Sequence, residues 1–178
     1  MSGNLFFING IPELCKALKQ AGRDKEVQEL VKHFLNQSFN LDLDKKVERF
    51  LRLPSGIFPA DMEYFKVFWE LNQIYINGLY YTTVVTTGVL CERMCYDILA
   101  KGLIKADEGL GLFALIRLLS ENKLVKEETL LEMDSIRKKR NEYVHPKNKI
   151  TNPEKDAMEM IERVAKVLHN EFAVKLMR

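Results

Sequence analysis

Twenty residues, Tyr80 to Leu99, decide what this chain can fold into. Thr82, Thr83, Val84, Val85, Thr86 and Thr87 are all β-branched, and side chains of that shape favour strands. Their spacing argues the other way. Tyr80-Tyr81, Val84-Val85 and Gly88-Val89 are apolar or small pairs recurring every four residues, with threonine pairs between them. A half-buried strand alternates every two residues, whereas a pair every four keeps to one side of a helix. The stretch is expected to be a core helix. Leu71 to Cys91 carries no charged residue, which raises the question of a membrane span. Asn72, Gln73, Asn77, four threonines and two glycines make it too polar for ~20 residues of hydrocarbon contact.

Helical punctuation runs through the rest of the chain. Ile11-Pro12 opens an amphipathic segment to Ala21, and Gly22 closes it. Asp24 caps a second helix to about Leu35, with Val27, Leu30, Val31 and Phe34 at helical spacing. Asp42 to Leu53 is a shorter third, apolar at Val47, Phe50 and Leu51. Pro54-Ser55-Gly56-Ile57-Phe58-Pro59 is the strongest turn cluster. It is read as the boundary between an N-terminal helical extension, residues 1–57, and a main domain, residues 58–178. Ala60 to Ile76, Leu110 to Leu119 and Glu127 to Val144 are further helices. His145-Pro146 stops the last of these, because proline pushes the residue before it out of the α region. Thr151-Asn152-Pro153-Glu154 caps a final helix through Ile161, Val164, Leu168 and Phe172. The expected fold class is all-α, an up-and-down helical bundle with an N-terminal helical appendage.

A chain of 178 residues buries roughly 70% of the surface it exposes when unfolded, so it needs no disulfide or metal to hold a core. Its three cysteines are an odd number and form no disulfide framework. Met1-Ser2-Gly3-Asn4 lacks a basic start, and Leu5-Phe6-Phe7-Ile8 is too short for a secretory leader. A reducing cytoplasm is the expected setting. Net charge is +2, so a nucleic-acid reading has to come from local clustering.

Two charges sit where apolar residues are due. Met133, Ile136, Arg140, Tyr143 and Val144 follow spacings of three and four, which puts Arg140 on a buried stripe. Tyr81, Val84, Val85, Gly88, Glu92, Cys95, Tyr96 and Leu99 do the same for Glu92. A lone buried charge is destabilising by several kcal/mol, so Glu92 is expected to pair with Arg140. A purely structural ion pair stands equal with a functional one at this point. The window from Arg137 to Lys149 adds weight to function: it holds six basic residues and one acidic, net +5, leaving −3 for the remainder. Asn141 and His145 share a helix face. Arg140 lies ~100° round from Asn141. A fixed guanidinium, an amide and an imidazole that titrates near neutrality suit a phosphodiester.

Arg140-Asn141-Glu142-Tyr143-Val144-His145 resembles the Arg-polar-x3-His motif of the HEPN superfamily (higher eukaryotes and prokaryotes nucleotide-binding). Tyr80 to Leu99, with its small Gly88 and in-stripe Glu92, is similar to that family's second core helix, which often carries a polar residue facing the motif. His145-Pro146 is typical of bacterial and archaeal members. The resemblance covers roughly Pro59 to the C-terminus. It implies a HEPN-like helical bundle and a metal-independent endoribonuclease with no cofactor. Arg140 would stabilise the transition-state phosphate and His145 would be general acid or base. Asn141 would bind substrate or hold His145, and Glu92 would orient Arg140. An RNA 2′-hydroxyl attacks the adjacent phosphate in such enzymes, leaving a 2′,3′-cyclic end. A homodimer with a site built from two copies is also implied, in prokaryotic defence or a toxin–antitoxin pair with a nucleotidyltransferase-like antitoxin. The alternative is a catalytically silent HEPN module that binds RNA, a nucleotide or a protein partner.

Other patterns weigh less. Arg137, Lys138, Lys139, Lys147 and Lys149 would contact the RNA backbone, although such runs are usually solvated or carboxylate-paired. Gly109-Leu110-Gly111-Leu112-Phe113-Ala114 fits a dinucleotide fingerprint but lacks a preceding strand. Cys91 and Cys95 are four apart, and a closed zinc site needs four ligands. They read as core thiols. His33 and His169 fall on charged, solvated faces.

Overall fold

The structure is a computed structural model that describes residues 14–40, 42–57, 63–145, 149–172 and 175–176. The chain forms two compact units, Met1–Lys45 and Lys46–Arg178. In the first, helix α1 covers residues 14–20 and α2 runs Asp24–Asn40. The expected start of α1 at Ile11-Pro12 lies outside the described residues. Gly22 adopts φ 70° between the two helices. Arg23 N–H donates to the Leu18 carbonyl at 2.9 Å and Gly22 N–H to that of Lys19 at 3.0 Å, the paired bonds of a Schellman cap. Helix α2 overruns its expected end near Leu35 because nothing from Asn36 to Asn40 is a glycine or proline.

Helix α3, Leu43–Arg52, passes from the first unit into the second. The units therefore part at Lys45/Lys46, ahead of the turn cluster that suggested 57/58. Arg49 Nη1 donates to the Ile76 carbonyl at 2.9 Å, and its guanidinium lies 5.4 Å from the centre of the Tyr80 ring. Strand β1, Gly56–Ile57, pairs antiparallel with β2, Lys175–Leu176. These contacts hold residues 46–57 to the main unit. The two-residue ladder was not expected from the sequence. Residues 58–62, with the expected helix start at Ala60, lie outside the described residues.

The main unit is helical: α4 Glu63–Ile76, α5 Tyr80–Lys101, α6 Leu112–Glu121, α7 Glu127–Val144 and α8 Pro153–Glu171. The fold is all-α. Helix α5 is its hub and packs against α4, α6, α7 and α8. Cross-helix contacts fix the directions. Tyr81 meets Tyr143 and Cys95 meets Met133, so α5 and α7 are antiparallel. Tyr143 meets Asp156 and Glu132 meets Arg163, so α7 and α8 are antiparallel too. Tyr80 bonds Glu154 and Lys101 lies over Phe172, so α5 and α8 run parallel. Leu71, Val84, Leu99, Met133, Ile136, Ile161 and Leu168 are fully buried between them. The charge-free stretch Leu71–Cys91 is broken at Gly78, φ 76°, between α4 and α5. No helix among the described residues is long and apolar enough to cross a membrane.

The central helix forms where its spacing placed it, but its buried face is turned from the expected one. Thr83, Val84, Thr87 and Gly88 are buried, whereas Tyr81 and Val89 are exposed. The threonines go inside because they bring their own partners. Thr87 Oγ1 donates to the Thr83 carbonyl at 2.7 Å, and Thr83 Oγ1 to that of Leu79 at 3.0 Å. A hydroxyl bonded one turn back leaves no unsatisfied polar group in the core. Helix α8 starts as its sequence dictates, with Pro153 at its first position and Asn152 Oδ1 accepting from Lys155 N–H at 3.2 Å.

Candidate active site

The candidate site is built where α5 meets the C-terminal half of α7. A Cβ added at Gly88 would fall 2.5 Å from Arg140 Cγ and 3.0 Å from Arg140 Cβ. Only a glycine lets the arginine stem lie against the α5 backbone. Farther out, Arg140 Nη1 donates to Asn141 Oδ1 at 3.2 Å. Arg140 Nε is buried and donates to no acceptor among the described residues. The side chain is thus gripped at its stem by packing and at one terminal nitrogen by an amide.

That geometry corrects one expectation. Among the described residues no ion pair joins Glu92 to Arg140, so Glu92 does not orient it by direct contact. Glu92 is half-buried, not buried, so water can reach its carboxylate and the demand for a counter-charge falls away. The amide oxygen of Asn141, the residue expected to meet substrate or hold His145, accepts from Arg140. His145 is the exposed C-cap residue of α7, and its backbone N–H donates to the Asn141 carbonyl at 2.9 Å.

An open groove of about 780 Å³ runs beside this helix end. Arg137, Lys138, Lys139, Asn141, His145 and Lys149 all line it, as do Glu142, Ile150, Thr151 and Asp156. Arg140 is not part of the lining and borders the groove through Asn141. Lys147 lies outside the described residues, as does Pro146.

Three of the groove's cations are carboxylate-paired. Arg137 and Lys138 share Asp134 at 2.7 and 2.8 Å. Lys139 bridges Glu142 at 2.9 Å and Asp156 at 3.5 Å. Burial works against both partners' charges, but the pairing wins in each case. Lys139 is held above the ordinary lysine range by Glu142 and Asp156, and Asp134 below the ordinary carboxylate range by Lys138 and Arg137. The net +5 of the window is therefore a count along the chain and not a bare positive patch.

Asp156 is the residue the sequence did not single out. It reaches from the first turn of α8 to accept from Tyr143 Oη at 3.0 Å while pairing with Lys139. Burial and that acceptor push the Tyr143 phenol well above the ordinary tyrosine range. The Tyr143 ring also stands edge-on to Tyr81, 5.0 Å between centres. The end of α7 is therefore fixed from two sides, by α5 and by α8. The available sequence signal was weak: an acidic residue in the first turn of a helix is ordinary dipole pairing. Comparison with family models, with curated proteins and with solved structures gives no match.

Proposed function

We propose that this chain is a HEPN-type, metal-independent endoribonuclease that cuts single-stranded RNA with Arg140, Asn141 and His145. The observation that carries the reading is the confinement of Arg140. A catalytic cation stabilises a transition state best when it is already in place and need not be ordered during the reaction. Gly88 and Asn141 hold Arg140 in that way, with the residue as a whole half-buried at the edge of the groove. A phosphate oxygen is the acceptor that a guanidinium favours. His145, exposed one turn on, lines the groove and is the proposed general acid or base. In the proposed step the RNA 2′-hydroxyl gives up its proton and attacks the adjacent phosphorus. The bond to the 5′-oxygen breaks, that oxygen takes up a proton, and a 2′,3′-cyclic phosphate remains.

The reading includes a second copy of the chain. Tyr81, Val89 and Val144 are exposed apolar residues beside the α5–α7 contact that carries Arg140, a surface that a twofold partner would cover. A role in prokaryotic defence or beside a nucleotidyltransferase-like antitoxin rests on the family resemblance alone.

One observation favours the catalytically silent module, with RNA, a nucleotide or a protein as its partner: Arg137, Lys138 and Lys139 already have carboxylate partners, which leaves them less available to a substrate RNA. Arg137, Lys139, Asp134 and Asp156 are half-buried, so an RNA phosphate would have to displace partners that are already in place. His145→Ala separates the readings. It should lower cleavage ~10²–10⁴-fold, the span typical of a general acid or base, while leaving RNA affinity near wild type. Wild-type protein that binds RNA and leaves it intact would favour the silent module.

A further inference from the structure

A second open groove, of about 580 Å³, lies between α6 and α7, and among the described residues its lining comes from these two helices alone. Arg137 and Lys138 line both this groove and the one beside His145, so the two meet at that point on α7. The charges of the second groove are sorted by end. Glu121, the last residue of α6, and Glu127, the first of α7, stand by the turn that joins the helices. Arg137 and Lys138 stand at the other end, where the His145 groove begins. Phe113 is at that cationic end and is 62% exposed. The Arg137 guanidinium lies over its ring, 5.2 Å from the centre, and is itself fixed by Asp134 at 2.7 Å. Leu131, 64% exposed, extends the apolar surface. Large apolar side chains left open together in one groove mark a binding surface.

We infer that Phe113 is a stacking platform for one unpaired base of a single-stranded RNA whose backbone runs through the His145 groove. The inference rests on reading the chain as a protein that binds RNA, whether or not it cuts. A base offers a flat face that stacks on an aromatic ring whatever the sequence. The cation over Phe113 holds the ring in place by attraction to its π face. Charge then sets how far the strand extends. Lys138 is exposed and can turn to a phosphate beside the stacked base, while Arg137 keeps Asp134. Glu121 and Glu127 repel any phosphate carried farther toward the turn. The platform therefore takes the nearest flanking base and not a run of them. Arg137 and His145 are eight residues apart, about 12 Å along the helix, so the stacked base contributes to affinity and stays clear of the bond that breaks.

The test measures binding of an end-labelled, single-stranded RNA of mixed sequence to the full chain by fluorescence anisotropy, in a His145→Ala background so that the strand survives. Phe113→Leu keeps an apolar side chain but no flat face. It should weaken binding at least about fivefold, the lower end of what a base–aromatic stack is worth, and Phe113→Tyr should restore it. Moving an abasic residue along the RNA should reveal one position with a similar loss, and there Phe113→Leu should have no further effect. In the protein that keeps His145, Phe113→Leu should raise KM and leave kcat unchanged. Unchanged RNA affinity in Phe113→Leu would overturn the proposal, and loss of a dimer in that same variant would assign the groove to a second copy instead. Additive losses from Phe113→Leu and from every abasic position would also overturn it. RNA that is bound with the predicted loss in Phe113→Leu but never cut would uphold the platform and remove the ribonuclease reading. Cleavage with a KM indifferent to Phe113→Leu would do the reverse, and a chain that binds no RNA would overturn both.

Discussion

Gly88 is the residue on which the proposed site turns. Replacing it with alanine gains about 1 kcal/mol of helix propensity but drives a methyl group into the Arg140 stem at 2.5 Å. Forcing extra carbon into a packed contact destabilises by about 1–3 kcal/mol, so packing outweighs propensity. Gly88→Ala is expected to lower stability by roughly 1 kcal/mol and to displace Arg140, with most RNA cleavage lost. In an Arg140→Ala background the same change should be less destabilising, because Cγ is gone and only the 3.0 Å approach to the retained Cβ opposes the propensity gain. Urea denaturation of the four proteins measures the difference; a Gly88→Ala protein that is more stable and fully active would mean the two residues are not in contact. Spacing alone revealed Arg140 as a charge on a buried stripe. It could not reveal that Glu92 is half-solvated, since spacing gives the side of a helix and not the depth of a residue. The grip of Asn141 on Arg140 joins sequence neighbours ~100° apart on the helix, a contact that no periodicity predicts.

The helices end more uniformly than their sequences do. Besides Gly22 and Gly78, the turns after α5 and α6 close with Schellman bonds around Leu103, φ 57°, and Lys123, φ 53°. Residues with a Cβ lose roughly 1–2 kcal/mol in that left-handed region. Leu103 is 93% exposed, so its side chain has almost no burial to lose. Leu103→Gly and Lys123→Gly are each expected to raise stability by up to about 1 kcal/mol after the larger chain entropy of glycine is discounted. A fall in unfolding midpoint for both would contradict the strain. The glycine nearest the first of these turns is Gly102, where an added Cβ would meet Leu124 Cδ2 at 2.7 Å. Its place in the sequence is set by packing, so the turn itself was not legible there. Boundaries marked by proline and asparagine were legible, as at Asn152-Pro153, and the overrun of α2 shows what happens where no such marker exists. Tyr80 carries a pH signature at the same scale. Burial, with its bond to Glu154 at 2.8 Å, raises its pKa to about 12. The folded chain then keeps this proton longer than the unfolded chain does, so the contribution is complete below pH ~10 and is lost as pH rises through the folded value. Stability should fall across that interval, and Tyr80→Phe should flatten the fall; an unchanged slope would show that the phenol does not report on folding.

At the scale of the whole molecule, the all-α architecture followed from apolar spacing, while the partition into units did not. The turn cluster at Pro54–Pro59 looked like a boundary because turns and boundaries share composition. What assigns residues 46–57 to the main unit is long-range: the Arg49 bond to Ile76 and the β1–β2 ladder. The proposed assembly is testable at this scale. Val89→Glu places a charge on the exposed face beside Gly88 and should leave the monomer folded while converting a micromolar dimer to monomer and abolishing cleavage. Light scattering that finds a wild-type monomer with full ribonuclease activity would remove the second copy from the mechanism. The central claim, that Arg140 and His145 cut RNA through its own 2′-hydroxyl, has a more direct test. Wild-type protein is incubated in EDTA with a single-stranded RNA, and with the same RNA carrying hydrogen for the 2′-hydroxyl at the cut site. Cleavage of the first to a 2′,3′-cyclic end, with the second left whole at that position, is the predicted result; cleavage of the substituted strand there, or of the first only when magnesium is restored, would contradict it.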